Sequence, residues 1–346
     1  MRKRQQPNKP ASGNGNSLPQ PALSYQHNPQ PTVDTAVEAG EPKTFRAGFA
    51  GLIGKPNAGK STLLNALVGQ KLAIVTPRAQ TTRDSILGIV STDSMQAIFV
   101  DMPGIIKPQG MFNASLMDIA SEAAAGADVL LHVVDANDPA PYTPEIIEFL
   151  SAIPQPRLLI FTQCDRLKRG ASPAEPPPAI AHRYASRHAV SGTLGLGLSD
   201  LVTAIASHLP EHPPLFDPDT LTDRSVRYLA AETVREKVFL ELQQELPYSI
   251  ACIVEDFREP TPGQPTYIRV HILVERENQK RIVVGQAGQQ LKRIGQAART
   301  DIEQMLDGPV YLDLWVKVRP NWRRNEGDLR RLGYWVDGRS KRPGKH

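Results

Sequence analysis

The sequence predicts an α/β domain, with a mostly parallel sheet covered by helices on both faces, followed by a smaller α+β domain. Three observations predict it. From Phe45 onward, short apolar runs alternate with helical patterns, as in a buried parallel sheet whose strands are joined by crossover helices. A glycine-rich turn, "GLIGKPNAGKST", separates the first run from the first helical pattern. A proline-rich stretch, "LPEHPPLFDPDTLTD" at 209–223, then interrupts both periodicities, and a different pattern follows it.

The elements follow in order. Residues 1–43 are rich in Pro, Asn, Gln and Ser, with too few large apolar side chains to offset the entropy of ordering, so a disordered tail is expected. No acidic residue precedes Asp34, but the amphipathic Arg/Ser pattern of a transit peptide is missing. "FAGLIG" reads as the first strand and 59–69 as the first helix. "SILGIV" and "MQAIFV" lie too close together for a crossover and read as a hairpin turning at Ser91–Ser94. There follow a helix at 113–125, the strand "DVLLHVV", a helix at 144–151, the strand "RLLIF", a proline-rich gap at 172–178, the short strand "HAV" and a helix at 197–208. The first domain is thus expected at 44–208 and a linker at 209–222. A second domain, 223–320, should hold the long helix "RSVRYLAAETVREKVFLELQQE", strands at 249–257 and 266–275, a helical region at 279–306 and the strand "PVYLDLWVKV". Residues 321–346 read as a basic C-terminal tail.

Composition narrows the class. With 346 residues, 40% apolar and 22% charged, the chain reads as a soluble globular protein of two domains. The net charge of +4 is concentrated at the ends: residues 1–10 carry four basic and no acidic side chains, and residues 317–346 carry ten basic and three acidic. The stretch between is net acidic, and a basic end commonly seeks a polyanion. The two cysteines, Cys164 and Cys252, have no CxxC or histidine spacing around them, so neither a disulfide framework nor a zinc site is expected. No run approaches the length of a membrane span, and "MRKRQQPNKP" lacks the apolar core of a signal peptide.

The strongest motif is Gly54-x4-Gly59-Lys60-Ser61, in the strand–turn–helix context that a phosphate-binding loop needs. Its glycines let backbone N–H groups wrap phosphates, the helix N-terminus adds partial positive charge, and Lys60 reaches the terminal phosphates. Nucleotide contacts are expected from the whole run Gly54, Lys55, Pro56, Asn57, Ala58, Gly59, Lys60, Ser61 and Thr62, with Ser61 a magnesium ligand. "AQTTRD" at 79–84 offers a threonine able to close over magnesium and the terminal phosphate, with Thr82 preferred over Thr81. "FVDMPG" ends a strand with Asp101, placed to hold a magnesium-bound water, and Gly104, whose N–H can meet the γ-phosphate. The first domain is therefore expected to be a P-loop NTPase.

Here the sequence resembles a known family. "GKPNAGKS", "QTTRD" and "DMPG" are similar to the motifs of the Era branch of GTPases, and the likeness continues through "LPEHPPLF", "LTDRSVRYLAAETVREKVF", "ELPYSIACIVEDF" and "DLWVKVRPNWRRNE". It covers about residues 45 to 335. The resemblance implies GTP and GDP as ligands, magnesium, and slow hydrolysis accelerated by a partner. No glutamine follows the DxPG motif, where Ile105 stands. The resemblance implies instead a potassium ion held partly by Asn57. Lys60, Thr82, Gly104 and Asn57 are thus the expected catalytic set.

The base-reading loop departs from the family. Where it has NKxD, this chain has Thr162, Gln163, Cys164 and Asp165. Asp165 alone can accept from both guanine N1 and N2, a pair of charge-assisted bonds of about 1.5–3 kcal/mol each, so guanine preference is expected to persist. Gln163 keeps a short stem but no charge, which predicts weaker binding rather than altered choice. Ser191 and Gly192, in "HAVSGT", stand where the family has a Ser-Ala pair.

In the second domain Gly285-Gln286-Ala287-Gly288 lies between two helical patterns, in a helix–strand–strand–helix–GxxG–helix–strand order. That order is expected of a type II KH domain, whose GxxG loop clamps four nucleotides. The usual lysine inside the loop is absent, so Lys280, Arg281, Lys292, Arg293, Arg323 and Arg324 are expected to attract phosphate. Trp315, Trp322, Tyr334 and Trp335 could stack on bases, and packing against the KH sheet is an equal alternative for Trp315 and Trp322. Composition alone implies a single-stranded nucleic acid. The Era resemblance implies the 3′ end of small-subunit ribosomal RNA, the small ribosomal subunit as partner, no DNA, a monomer and a cytoplasmic location. An RNA scaffold with an impaired nucleotide site is the alternative, and peripheral contact with an anionic membrane a weaker one.

Overall fold

The computed structural model describes residues 44–76, 85–107, 110–242 and 246–332. Thr82, with Thr81, lies outside them, as do Tyr334, Trp335 and the rest of the C-terminal end.

The first domain runs β1 (Arg46–Ile53), α1 (Lys60–Val68), β2 (Ile86–Ser91), β3 (Met95–Asp101), α2 (Gly110–Ala125), β4 (Val129–Asp135), α3 (Pro144–Ala152), β5 (Arg157–Thr162), α4 (Pro178–Ala181), β6 (Tyr184–Ala189) and α5 (Leu198–Ala206). The six strands form one sheet in the order β2-β3-β1-β4-β5-β6, parallel except for the β2/β3 hairpin. Strand alternation divides the core in two. Leu52, Phe99, Leu131 and Ile160 pack against Leu63 and Leu64 of α1 and Leu201 and Ile205 of α5. Ile53, Val100 and Leu130 face the other way, onto Ala120 and Ala124 of α2 and Ile146 and Leu150 of α3. The chain reverses direction across the sheet at β1, between β3 and β4, and the carboxyl end of such a switch point is where open α/β sheets bind ligands.

Residues 209–223 run back along this sheet. Ala47 N donates to Pro210 O at 3.1 Å and Ile89 N to Leu221 O at 2.8 Å. Gln96, fully buried, accepts from Leu215 N and Phe216 N at 2.7 and 2.9 Å and donates to Phe216 O at 2.8 Å. One buried amide thus replaces the ladder partners that the prolines cannot supply.

The second unit runs α6 (Val226–Glu241), β7 (Ala251–Arg258), β8 (Thr266–Val274), α7 (Glu277–Val284), α8 (Gln289–Leu306), β9 (Val310–Val318) and α9 (Glu326–Arg331). Ser225 caps α6 by accepting from Tyr228 N. The sheet order is β7-β8-β9, antiparallel then parallel, with the three long helices on one face. This α-β-β-α-α-β arrangement is a type II KH domain. The helical region read at 279–306 is two helices, because Gly285 and Gly288 take φ values of 71° and 77° that break the first before the second begins.

Two corrections concern the C-terminal end. Residues 322–332 are not a free tail: Trp322 is fully buried, its indole donates to Ser249 O at 2.9 Å, and it meets Phe112 of α2 edge to face with centroids 6.0 Å apart. Of the two roles left open for Trp322, packing is therefore the one observed. Arg323, expected to attract phosphate, is bound to Glu275 at 2.5 Å, because the turn that buries Trp322 carries it onto that carboxylate.

Candidate nucleotide and RNA sites

The turn after β1 is built for close approach. Gly54 has φ 150°, and a Cβ there would stand 2.2 Å from Val133 O. A Cβ on Gly104 would stand 2.8 Å from Pro56 N, so the segment after β3 lies flush on the turn, and Ile105 N donates to Gly54 O at 3.1 Å. Asn57 takes the left-handed conformation, φ 64°, at the loop's apex.

Lys60, the first residue of α1, folds its ammonium back onto the loop, donating to Lys55 O at 2.9 Å and Gly54 O at 3.3 Å. Burial pushes its pKa down to about 8, against a smaller opposing pull from Asp101. Ser61 Oγ donates to Asp101 Oδ2 at 2.6 Å, so two expected magnesium ligands from separate elements converge. A hydroxyl and a buried carboxylate are hard oxygen donors of the kind magnesium takes, and the donor set fits that ion. Lys55 Nζ binds Asp138 Oδ2 at 2.5 Å and Ala140 O at 3.1 Å, tying the phosphate loop to the turn after β4. Thr62 lies 3.2 Å from where a Cβ on Gly192 would stand, so the 191–192 loop packs directly on the start of α1.

At the end of β5 the altered loop has taken over the supporting work. Thr162 is buried, and its hydroxyl donates to Ala58 O at 2.6 Å, with Val134 O at 3.1 Å. It thereby ties the end of β5 to the phosphate loop. Gln163, at φ 56°, donates from Nε2 to Asp135 Oδ2 at 2.7 Å and accepts from Arg166 Nη1 at 2.6 Å. Asp165 is exposed on the short 3-10 turn Cys164–Arg166. Cys164 N donates to Val190 O at 3.3 Å, and Ser191, fully buried, accepts from Leu194 N at 3.2 Å, so the 162–165 and 191–192 loops form one wall. Sequence reasoning missed Asp135 and Asp138. The "DAND" turn after β4 was the available signal, but its partners lie far away in the chain.

In the KH domain Gly285-Gln286-Ala287-Gly288 forms a tight turn between α7 and α8, and a Cβ on Gly285 would stand 2.6 Å from Gln290 Cβ. Gln286, Ala287, Lys292, Arg293 and Arg324 are exposed, as a backbone clamp with flanking charge requires.

Residues 49–163 match the family of 50S ribosome-binding GTPases and residues 245–323 the KH domain family. GTPase Era of Bordetella pertussis is 40% identical over 295 residues, covering 84% of this chain and 98% of that protein. The chain belongs to the Era family of GTPases. GTPase Era of Geobacter metallireducens is likewise 40% identical, over 293 residues and 98% of its length. Era solved with MgGDPNP and nucleotides 1506–1542 of 16S ribosomal RNA superposes with a TM-score of 0.76 at 36% identity, covering 84% of this chain and all of that one. A variant of Aquifex aeolicus Era bound to GDP·AlF4− gives 0.75 at 37%, with the same coverage. The Era family thus accounts for both halves of the fold.

Proposed function

We infer that this Era-family GTPase uses GTP binding to favour, and hydrolysis to end, its hold on single-stranded RNA near the 3′ end of small-subunit ribosomal RNA, and so assists small-subunit assembly. One observation carries the reading: a phosphate loop locked to its supporting loops stands in the same chain as a KH domain, over nearly the full length of Era relatives. One of those relatives was solved with both MgGDPNP and 16S ribosomal RNA.

The residues divide the work. Backbone N–H groups from Gly54 to Thr62 cradle the phosphates. Lys60 exchanges its loop carbonyls for phosphate oxygens, and their charge restores the proton that burial loosens. Ser61 and Asp101 would hold magnesium, which would supply positive charge to offset the negative charge that develops on the phosphate. Thr82 and the Gly104 N–H are assigned to the γ-phosphate. Asp165 reads guanine, Gln163 packs beside the base, and Ser191 and Gly192 back it. Asn57 would help hold a potassium ion, which would supply the positive charge that an arginine finger otherwise brings; equal hydrolysis rates in potassium and sodium would remove that role. RNA is held at Gly285, Gln286, Ala287 and Gly288, with Lys292, Arg293 and Arg324 attracting phosphate and Arg323 contributing less because of Glu275.

Communication between the halves has a physical route. Glu236 on α6, buried, accepts from Lys71 Nζ at 2.5 Å and from Val75 N at 3.1 Å, shortly before Thr82 in the chain, and Lys71 also reaches Asp301 on α8 at 2.9 Å. A nucleotide that repositions this segment disturbs the grip on both KH helices. The reading takes the protein as a cytoplasmic monomer; the membrane alternative rests on the basic stretch 321–346. Binding of a labelled 3′-end ribosomal RNA oligomer is expected to be tighter with a non-hydrolysable GTP analogue than with GDP. Equal affinity in both states would leave an RNA-binding protein without a switch.

A further inference from the structure

The KH sheet has a second face, turned away from α6, α7 and α8, and half of it is a structured aromatic surface. On β9, Val310, Leu312, Leu314 and Val316 pack into the core, so the alternate residues Tyr311, Asp313, Trp315 and Lys317 point outward. Tyr311 is 59% and Trp315 52% exposed. Tyr267 of β8 stacks on Tyr311 with centroids 5.7 Å apart and planes inclined by 11°. The Arg269 guanidinium lies 5.7 Å from the Tyr267 ring and 5.8 Å from the Trp315 ring, and that of Arg258 5.0 Å from Tyr267.

One carboxylate fixes this array. Asp313 accepts from Tyr267 Oη, Arg269 Nε and Trp315 Nε1, each at 2.9 Å. The polar edges of Tyr267 and Trp315 are thus occupied, Tyr267 is covered by Tyr311 and the two guanidiniums, and the rings that the surface presents are Tyr311 and Trp315. Exposing several large aromatic side chains together is costly, and such patches mark binding surfaces. The other end of the same face is closed by Trp322 and Leu329 over Ala251. The bare half is therefore a bounded patch.

We propose that Tyr311, Trp315 and Tyr267, with Arg269, Arg258 and Lys317, form a second contact for single-stranded RNA, on which unpaired bases stack. Aromatic faces accept any base, and Lys317 supplies phosphate attraction that a purely apolar partner would not need, while the paired Arg269 and Arg258 cover the rings. The acidic groups of this surface, Asp313, Asp256 and Glu255, are bound to Arg269, Arg258 and Arg331, while Lys317 has no ion pair among the described residues. Position favours the same ligand: β9 is the edge strand beneath α7 and α8, the helices that flank Gly285–Gly288. The proposal rests on the reading that the GxxG loop holds RNA.

The test uses the full chain with a GTP analogue and two labelled single-stranded RNAs, one of about four nucleotides, enough to fill a GxxG clamp, and one of about twelve. Stacking contributes about 1–3 kcal/mol per base, so the double variant Tyr311→Ala/Trp315→Ala is expected to bind the longer RNA about tenfold or more weakly. Its affinity for the short RNA and for nucleotide should stay unchanged, which also shows that it folds, and Trp315→Phe alone should retain most of the native affinity. A double variant that equals the native chain on both RNAs, or loses equally on both, overturns the proposal alone and leaves the patch as a protein-binding surface. A native chain that binds neither RNA overturns the KH reading together with it.

Discussion

The two ends of the nucleotide site are held by different means. At the phosphate end the constraint is steric and local: Gly54 and Gly104 permit backbone to lie where any Cβ would collide, and Ser61 meets Asp101 directly. At the base end it is a web of side-chain hydrogen bonds, Thr162 to Ala58, Gln163 to Asp135, Arg166 to Gln163, whose members can be exchanged so long as each donor finds an acceptor. The difference explains why motif letters changed at one end and not at the other. Packing against a backbone atom admits no substitute; holding a loop carbonyl needs only a hydroxyl or amide at the right reach.

The largest break in that contrast should come from Gly54→Ala. Its Cβ would stand 2.2 Å from Val133 O at a backbone φ of 150°, so the loop must move, and GTP binding measured by titration is expected to fall by about a hundredfold or more. Thr162→Val tests the base end by an interior contact. It leaves the Ala58 carbonyl without its donor at a cost of about 1–3 kcal/mol, and nucleotide affinity should fall about tenfold for GTP and GDP alike, with the melting temperature lowered.

Lys60 gives the phosphate end a pH signature. Because burial lowers its pKa to about 8, the nucleotide-free protein loses that ammonium above pH 8 and must take up a proton to bind. Affinity should fall by up to about tenfold per pH unit there, with proton uptake visible as buffer-dependent binding heats in calorimetry. The sign for stability is opposite. The folded chain holds this proton less tightly than the unfolded one, so the nucleotide-free fold gains stability as pH rises from about 8 towards 10.5. The smallest effect is expected of Gln163→Lys. It can keep the bond to Asp135 while placing a cation beside Arg166, and GTP affinity should change by only a fewfold.

The sequence made the phosphate end legible because its glycines, Lys60 and Ser61 stand at fixed spacing in one short run between a strand pattern and a helix pattern. It made the fold legible because the switch from continuous apolar strands to a long helix, a hairpin and a GxxG turn is written in periodicity. Thr162 could not be read in the same way: its partner Ala58 lies 104 residues upstream, and a threonine at a strand end carries no mark of it. Glu236 was likewise invisible, since a glutamate on a helix is ordinarily solvated, and only the packed structure buries it against Lys71 and Val75. Trp322 and Trp315 looked alike in the sequence, yet one is buried against Phe112 and the other stands half exposed. The turn after β9, which sends the chain back over the sheet, made that difference.

The central claim is that the base end still reads guanine through Asp165 although its neighbours have changed. Equilibrium binding of fluorescent GTP, GDP and ATP with magnesium, for the native chain and for Asp165→Asn, tests it most directly. The account predicts that GTP and GDP bind, that ATP binds at least about tenfold more weakly, and that the substitution removes most of this difference. ATP binding as tightly as GTP, or a preference that survives Asp165→Asn, would contradict it.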